Sequence, residues 1–233
     1  MPYTQNDYDK LVEELYATSQ ERLKKLGDVL IPGSTKKYGI STPDLKAMAK
    51  KIAEGDWRGY LKIATNNSYE ENVIQAFVIA SVKCDMEERL TYVKAFIPTI
   101  NNWASCDALC MYMKVVRKEQ AMVREFIKPY LASKKEFEIR FGAVILLCYF
   151  VDDQYIDDTL RTLAKLRTDA YYAMMGVSWA ISQCYIRYPE KTYVFLEKGL
   201  LSKETQNKSI QKIRESTRVG DEDKERLLAL KKK

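Results

Sequence analysis

Histidine is absent from this chain of 233 residues. That absence excludes a Ser-His-Asp triad, a Cys-His pair and an HExxH zinc site. Neither a GxxxxGK[ST] loop nor a GxGxxG turn occurs, so the usual phosphate-cradling glycine loops are excluded too. Acid–base chemistry, if any, falls to carboxylates, Tyr or Lys. Glycine (9) and proline (6) are scarce, which disfavours a turn-rich β fold. No apolar run reaches the roughly 18 residues of a membrane span without polar interruption. The nearest, residues 170–186, has no charge but includes Ser178, Ser182 and Gln183. The start, MPYTQNDYDK, is polar and acidic, unlike a secretory signal. The cysteines, Cys84, Cys106, Cys110, Cys148 and Cys184, read as reduced core residues of a cytoplasmic protein. Cys106 and Cys110 are spaced as two metal ligands could be. With no second pair nearby and no histidine, no metal and no cofactor is expected.

What the chain does have is helical patterning. An apolar fraction of 46% and a charged fraction of 30% describe a soluble globular protein. Its length allows either one large domain or an array of small repeats. The net charge of +6 suits a nucleic-acid partner, yet many enzymes are as basic. Tyr8, Leu11, Leu15, Tyr16 and Leu23 recur at helical spacing from Asp7 to Leu26. The stretch LIPGSTKKYGI then breaks the pattern at Pro32 and Gly33. In STPDLKAMAKKI, Thr42 is the expected N-cap, Pro43 the first helical residue and Asp44 a first-turn acid. Further helical blocks follow near 57–66, 69–82, 86–97, 103–116, 119–131, 136–150, 153–166, 169–187, 190–200, 204–216 and 221–230. Short links between them predict an all-α fold of antiparallel helix pairs, an α-solenoid. The expected organisation is one domain over 1–233, about six helix pairs with a basic tail.

Three blocks are unusually apolar: 103–113, 141–151 and 170–186. Each carries one odd residue: Trp103, Arg140 and Trp179, spaced 37 and 39 residues apart. That is close to the roughly 40-residue period of HEAT-type repeats, so the three should align along neighbouring helices. Asp107 is the sole charge between Ala95 and Met113, and a helix puts it on the Trp103 face. Arg140 precedes eleven charge-free residues. Lone buried charges are costly unless paired. One reading is a structural Asp107–Arg140 pair; the other is a carboxylate held ionised at a concave site. Trp103 and Trp179 are either core residues or a binding platform. Trp57 reads as packing. The basic residues Lys36, Lys37, Lys114, Arg117, Lys118, Lys208, Lys212 and Arg214 are either solvated faces or phosphate contacts.

These residues also carry a resemblance. YGISTPDLKAMAK (38–50), SYEENVIQAFVIA (68–80), NNWASCDALC (101–110), IRFGAVILLCYF (139–150) and YYAMMGVSWAISQCYIRYP (171–189) resemble the AlkD-like DNA alkylation repair enzymes over about Asn6 to Leu230. Those are bacterial DNA glycosylases built from HEAT-like repeats. The family's Trp and Asp four residues on fall on Trp103 and Asp107. Its functional arginine falls on Arg140 and its second tryptophan on Trp179. Where the family has Glu-Arg, this chain has Glu71-Asn72. Ala104 stands where Asp is frequent, and Ser182 where active members carry a DNA-contacting Arg.

The resemblance implies a curved superhelix with a concave basic face, acting as a monomer on double-stranded DNA with alkylated bases. It implies hydrolysis of the N-glycosidic bond of cationic N3- and N7-alkylated purines, without cofactor or base-flipping pocket. On that basis Asp107 is the stabilising carboxylate, Trp103 and Trp179 are aromatic walls, and Arg140 partners Asp107. Tyr38 closes the cleft. Lys36, Lys37, Lys114, Ser182, Lys208, Lys212 and Arg214 are the candidate DNA contacts. The alternatives are a non-catalytic DNA-binding relative and a protein-interaction solenoid.

Overall fold

The computed structural model describes residues 1–33 and 35–233. Among the described residues there are fifteen α-helices, three 3-10 turns and no strand beyond one isolated bridge, Lys36 with Ser68. The all-helical expectation is met. Among the described residues no helix is long and apolar enough to cross a membrane. The chain divides into two compact units, 1–115 and 116–233.

The first unit holds α1 (Gln5–Ala17), α2 (Glu21–Leu30), α3 (Thr42–Glu54), α4 (Trp57–Ile63), α5 (Tyr69–Ser81), α6 (Met86–Phe96) and α7 (Trp103–Tyr112). Alternate helices pack together: α3 against α5, and α5 against α7. α5 is buried on nearly every side, which is why its sequence lacks a clear amphipathic stripe. Caps set the boundaries. Ser41, Asp56, Ser68, Asp85 and Asn102 each accept a first-turn N–H, satisfying donors that have no partner within the helix. Ser41, not Thr42, is therefore the cap of α3; Thr42 is already helical. The continuous helix expected from Asp7 to Leu26 is also two. Thr18 returns its hydroxyl to the Glu14 carbonyl at 2.7 Å, and the Gln20 N–H leaves for the Tyr38 carbonyl at 3.2 Å.

The C-terminal end of α5 is closed by Arg89. This buried guanidinium donates to the Ile79 and Val82 carbonyls, and burial lowers its pKa. Cys84 lies in the turn between α5 and α6, half-buried rather than in the core. Trp57 is buried, packed edge-on to Tyr92 at 5.2 Å, as its packing role requires.

The second unit holds α8 (Gln120–Phe126), α9 (Lys128–Leu131), α10 (Glu136–Tyr149), α11 (Ile156–Lys165), α12 (Tyr171–Arg187), α13 (Pro189–Glu197), α14 (Lys203–Arg214) and α15 (Asp221–Arg226). The block expected over 119–131 is split. Pro129 lacks the N–H that would continue it, and the chain restarts at α9. α10 and α14 flank α12. α12 meets them with Ala173, Gly176, Ser178 and Ala180, all buried. Small side chains let neighbouring helix backbones approach closely.

Candidate active site

In the first unit the site begins at the cap of α7. Asn102 is buried and its Oδ1 accepts the Ser105 N–H at 3.0 Å. That fixes the first turn, where Trp103 sits half-buried. The Trp103 Nε1–H donates to the Leu30 carbonyl, the last residue of α2, at 3.1 Å. Asn101 donates to Thr35 Oγ1 at 3.2 Å. The start of α7 is thus tied to the segment joining α2 and α3. Asp107 lies four residues past Trp103, on the same helical face, and is 8% exposed. Its surroundings on α7 are Ser105, Cys106, Ala108, Leu109 and Cys110, all buried.

The segment joining α2 and α3 is itself held by a carboxylate. Glu70, 1% exposed on α5, accepts the backbone N–H groups of Tyr38 (3.1 Å), Gly39 (2.8 Å) and Ile40 (3.4 Å). Successive N–H groups converging on one anion form a nest; here the anion is internal. Glu70→Gln replaces one acceptor oxygen with a donor that faces these N–H groups. Stability should fall by about 2 kcal/mol, read as a lower urea midpoint at unchanged slope. The adjacent Glu71 is also buried and accepts from the Tyr8 hydroxyl, and from Thr65 Oγ1 at 2.7 Å. Burial, then that bond to Glu71, pushes the Tyr8 hydroxyl up to about 12.

Three expected DNA contacts sit on or beside this segment, and they differ. Lys36 is exposed, with its ammonium 4.6 Å from the centre of the Tyr38 ring. Lys37 is buried; its Nζ bonds Asp28 at 3.1 Å and the Thr35 carbonyl at 3.4 Å. Its charge is spent inside the unit, a correction to its reading as a phosphate ligand. Tyr38 is buried as well, with its backbone N–H held by Glu70. Lys114, after the end of α7, is exposed.

In the second unit Arg140 is 6% exposed. Its Nη1 donates to the Tyr172 carbonyl in the first turn of α12 at 2.9 Å. One turn earlier on α10, Glu136 accepts the Tyr172 N–H at 2.6 Å, and Phe137 stacks on the Tyr172 ring at 5.6 Å. Gly176 makes room for Arg140: a Cβ there would stand 3.2 Å from Arg140 Cγ. Tyr172, Gly176, Trp179 and Gln183 follow at spacings of four, three and four, one face of α12. Trp179 is half-buried on it, neither fully core nor fully open.

Ser182 is 2% exposed and its hydroxyl returns to the Trp179 carbonyl at 2.8 Å. It points inward, so it is not a surface contact, contrary to expectation. A cation missed in the sequence stands nearby. Arg218 is exposed and donates to Gln183 Oε1 at 3.1 Å, and Gln183 is one turn beyond Trp179. Nothing local in the sequence marks it, because Arg218 reaches α12 only through the fold. Lys208 and Lys212 are half-buried on α14, Lys208 bonding Gln211 at 2.8 Å. Arg214 lies 3.5 Å from Glu225. Asn102 and Gly176 were legible: an Asn three residues before a helical Ser, and a glycine inside a helix.

Among the described residues no three His, Cys, Asp or Glu side chains group as metal ligands. The arrangement offers a fixed, mostly buried carboxylate beside an indole in one unit. In the other it offers an arginine and an indole along one helix face, with cations near. No individually curated protein matches the chain. A family model described as DNA alkylation repair enzyme matches residues 11–219, a span that holds Tyr38, Trp103, Asp107, Arg140 and Trp179. The chain belongs to the DNA alkylation repair enzyme family.

Proposed function

We propose that the protein is a DNA glycosylase that hydrolyses the N-glycosidic bond of cationic N3- and N7-alkylated purines in duplex DNA. The observation that carries this reading is Asp107: a carboxylate fixed in an apolar helix, one turn from Trp103. Membership of the DNA alkylation repair enzyme family supports alkylated DNA as the substrate class, and the alternate packing of helices within each unit supports HEAT-like pairing. The whole chain, 1–233, acts as a monomer on one duplex, and each unit contributes its own contacts.

An alkylated purine carries positive charge and leaves readily. The C1′–N bond breaks with its electron pair going to the base, which departs neutral. Positive charge then develops on the deoxyribose. A carboxylate already in place stabilises that charge without reorganisation. Water forms the new C1′–O bond, oriented by Asp107, and its surplus proton passes to solvent. The electron-rich indole face of Trp103 attracts the cationic lesion or its sugar, and that of Trp179 gives the second unit an aromatic contact of its own with the DNA. Arg140, held along α12, keeps that face ordered beside the backbone.

The test is release of methylated purines from duplex DNA treated with a methylating agent, separated by chromatography. Release of N3-methyladenine or N7-methylguanine supports the reading. Intact base with tight duplex binding would instead identify a non-catalytic DNA-binding relative, the alternative favoured by Ser182 where the family's active members carry Arg.

Phosphate contacts are assigned to Lys36, Lys114, Lys208, Lys212 and Arg218. Changing Lys208, Lys212 and Arg218 together to Gln should lower the slope of log affinity against log salt by about 3, near one per lost contact. Fluorescence anisotropy across a salt series reads this. An unchanged slope would remove these three from the interface.

A further inference from the structure

A cavity of about 700 Å³ opens in the first unit at the C-terminal ends of α3, α5 and α7. It is separate from the Asp107 face. Trp103 and Tyr112 lie at opposite ends of α7, about 14 Å apart along its axis. Tyr112 also follows Asp107 by five residues, a rotation of about 140° around the helix. Nothing in the glycosylase reading uses this cavity.

Its chemistry is consistent. The floor is aromatic: Phe77 and Tyr112 meet edge-to-face at 5.0 Å, and the buried Trp57 closes one side. Lys46, Lys50 and Lys83 stand around it, with Glu54 the only acid of the lining. Lys50 and Glu54 approach to 3.8 Å, both exposed, so that pair is weak. The Lys46 ammonium lies 4.4 Å from the Tyr112 ring centre and 5.7 Å from that of Phe77. Tyr112 is 37% exposed, which leaves ring surface available.

We infer that this cavity binds a nucleotide, its base stacked on the exposed Tyr112 ring with Phe77 at its edge, its phosphate among Lys46, Lys50 and Lys83, and its exocyclic amine toward Glu54. A base has two flat faces that stack on aromatic side chains whatever its identity. The phosphate supplies the charge that three lysines around an apolar floor call for. Cavities of this size hold ligands of drug dimensions, with an apolar lining and a few placed polar groups. Two sources share that chemistry: a free mononucleotide and the unpaired 5′-phosphorylated end of a DNA strand.

Isothermal titration calorimetry on the full chain separates them. The probes are deoxyadenosine monophosphate, a 5′-phosphorylated single-stranded pentanucleotide, deoxyadenosine, inorganic phosphate and a Glu-Tyr-Glu peptide. Saturable binding of the mononucleotide identifies a free-nucleotide site. Binding of the pentanucleotide alone identifies a strand-end site. In either case Lys46→Glu and Tyr112→Ala should each weaken affinity at least tenfold. Tyr112 is exposed and Lys46 half-buried, and a circular dichroism melt confirms that the variants fold. Deoxyadenosine and inorganic phosphate should each bind at least tenfold more weakly than the mononucleotide or the pentanucleotide, whichever binds. The inference is overturned if neither nucleotide form saturates, if both variants bind like wild type, or if the peptide binds more tightly than either nucleotide. No duplex and no excision enters the readout, so the result stands apart from that of the glycosylase assay.

Discussion

Asp107→Asn should lower release of alkylated purine by about 100- to 1,000-fold, the loss seen when one preorganised electrostatic group is removed from a reacting centre. The substitution keeps the shape of the side chain and removes its charge. Asp107 is 8% exposed on a helix whose residues around it are buried and, Ser105 apart, apolar, so the field it projects is weakly screened. Binding to undamaged duplex should hold or tighten slightly, because a negative charge near phosphates is lost. That split between chemistry and binding is the diagnostic: excision is read by chromatography of released base, affinity by anisotropy. An Asn variant that excises within about threefold of wild type would end the proposed mechanism. A melt of the variant guards against a trivial cause, since a buried polar side chain has been altered.

Gly39→Ala should cost about 3 kcal/mol of folding stability, a loss reserved for strained or overpacked sites. Two independent constraints act there. The backbone has φ of +81°, a region that side chains disfavour. A Cβ would also press on the Gln20 carbonyl and lie 2.5 Å from the Lys24 backbone N. Those are backbone atoms at the start of α2 and cannot swing aside. Gly39→Asn separates the two causes, since Asn tolerates positive φ but still carries a Cβ. If the collision dominates, both variants lose stability alike in urea titration; a near-normal Asn variant would show that φ alone mattered. The damage should spread, because the Gly39 N–H is one of those gathered by Glu70. The same segment carries Thr35, which anchors Asn101, and follows directly on Leu30, which anchors Trp103.

Much of the architecture was readable along the chain. The helical period, the scarcity of glycine and proline, and the break at Pro32 and Gly33 predicted an all-α protein, and α2 does end at Leu30. Errors came where a cap or a proline outweighs periodicity: Thr18–Gln20 between α1 and α2, Ser41 as cap, and Pro129 at the break between α8 and α9. Capping is a hydrogen-bond choice between adjacent hydroxyls, and apolar spacing does not report it.

The candidate site divides the same way. Asp107 stood out because a charge in an apolar run is visible in one dimension, and so did Arg140 and Trp179. Residues that hold them in place did not. Glu70 looks like any first-turn acid of α5, yet it gathers the N–H groups of Tyr38, Gly39 and Ile40. Lys36 and Lys37 are neighbours of one type, but one is exposed and the other is buried on Asp28.

By itself the sequence determined which chemistry is open to this protein: no histidine, no glycine loop, one isolated carboxylate beside an indole, and a basic balance. It also determined the helices, because a 3.6-residue period is a local property. Only the tertiary structure decided which polar groups face inward and which remain for a partner. Ser182 turned to its own helix backbone, Lys37 to Asp28, and Arg218 came to Gln183 from 35 residues away. Burial depends on what neighbouring helices cover, and that covering comes from residues far off in the chain.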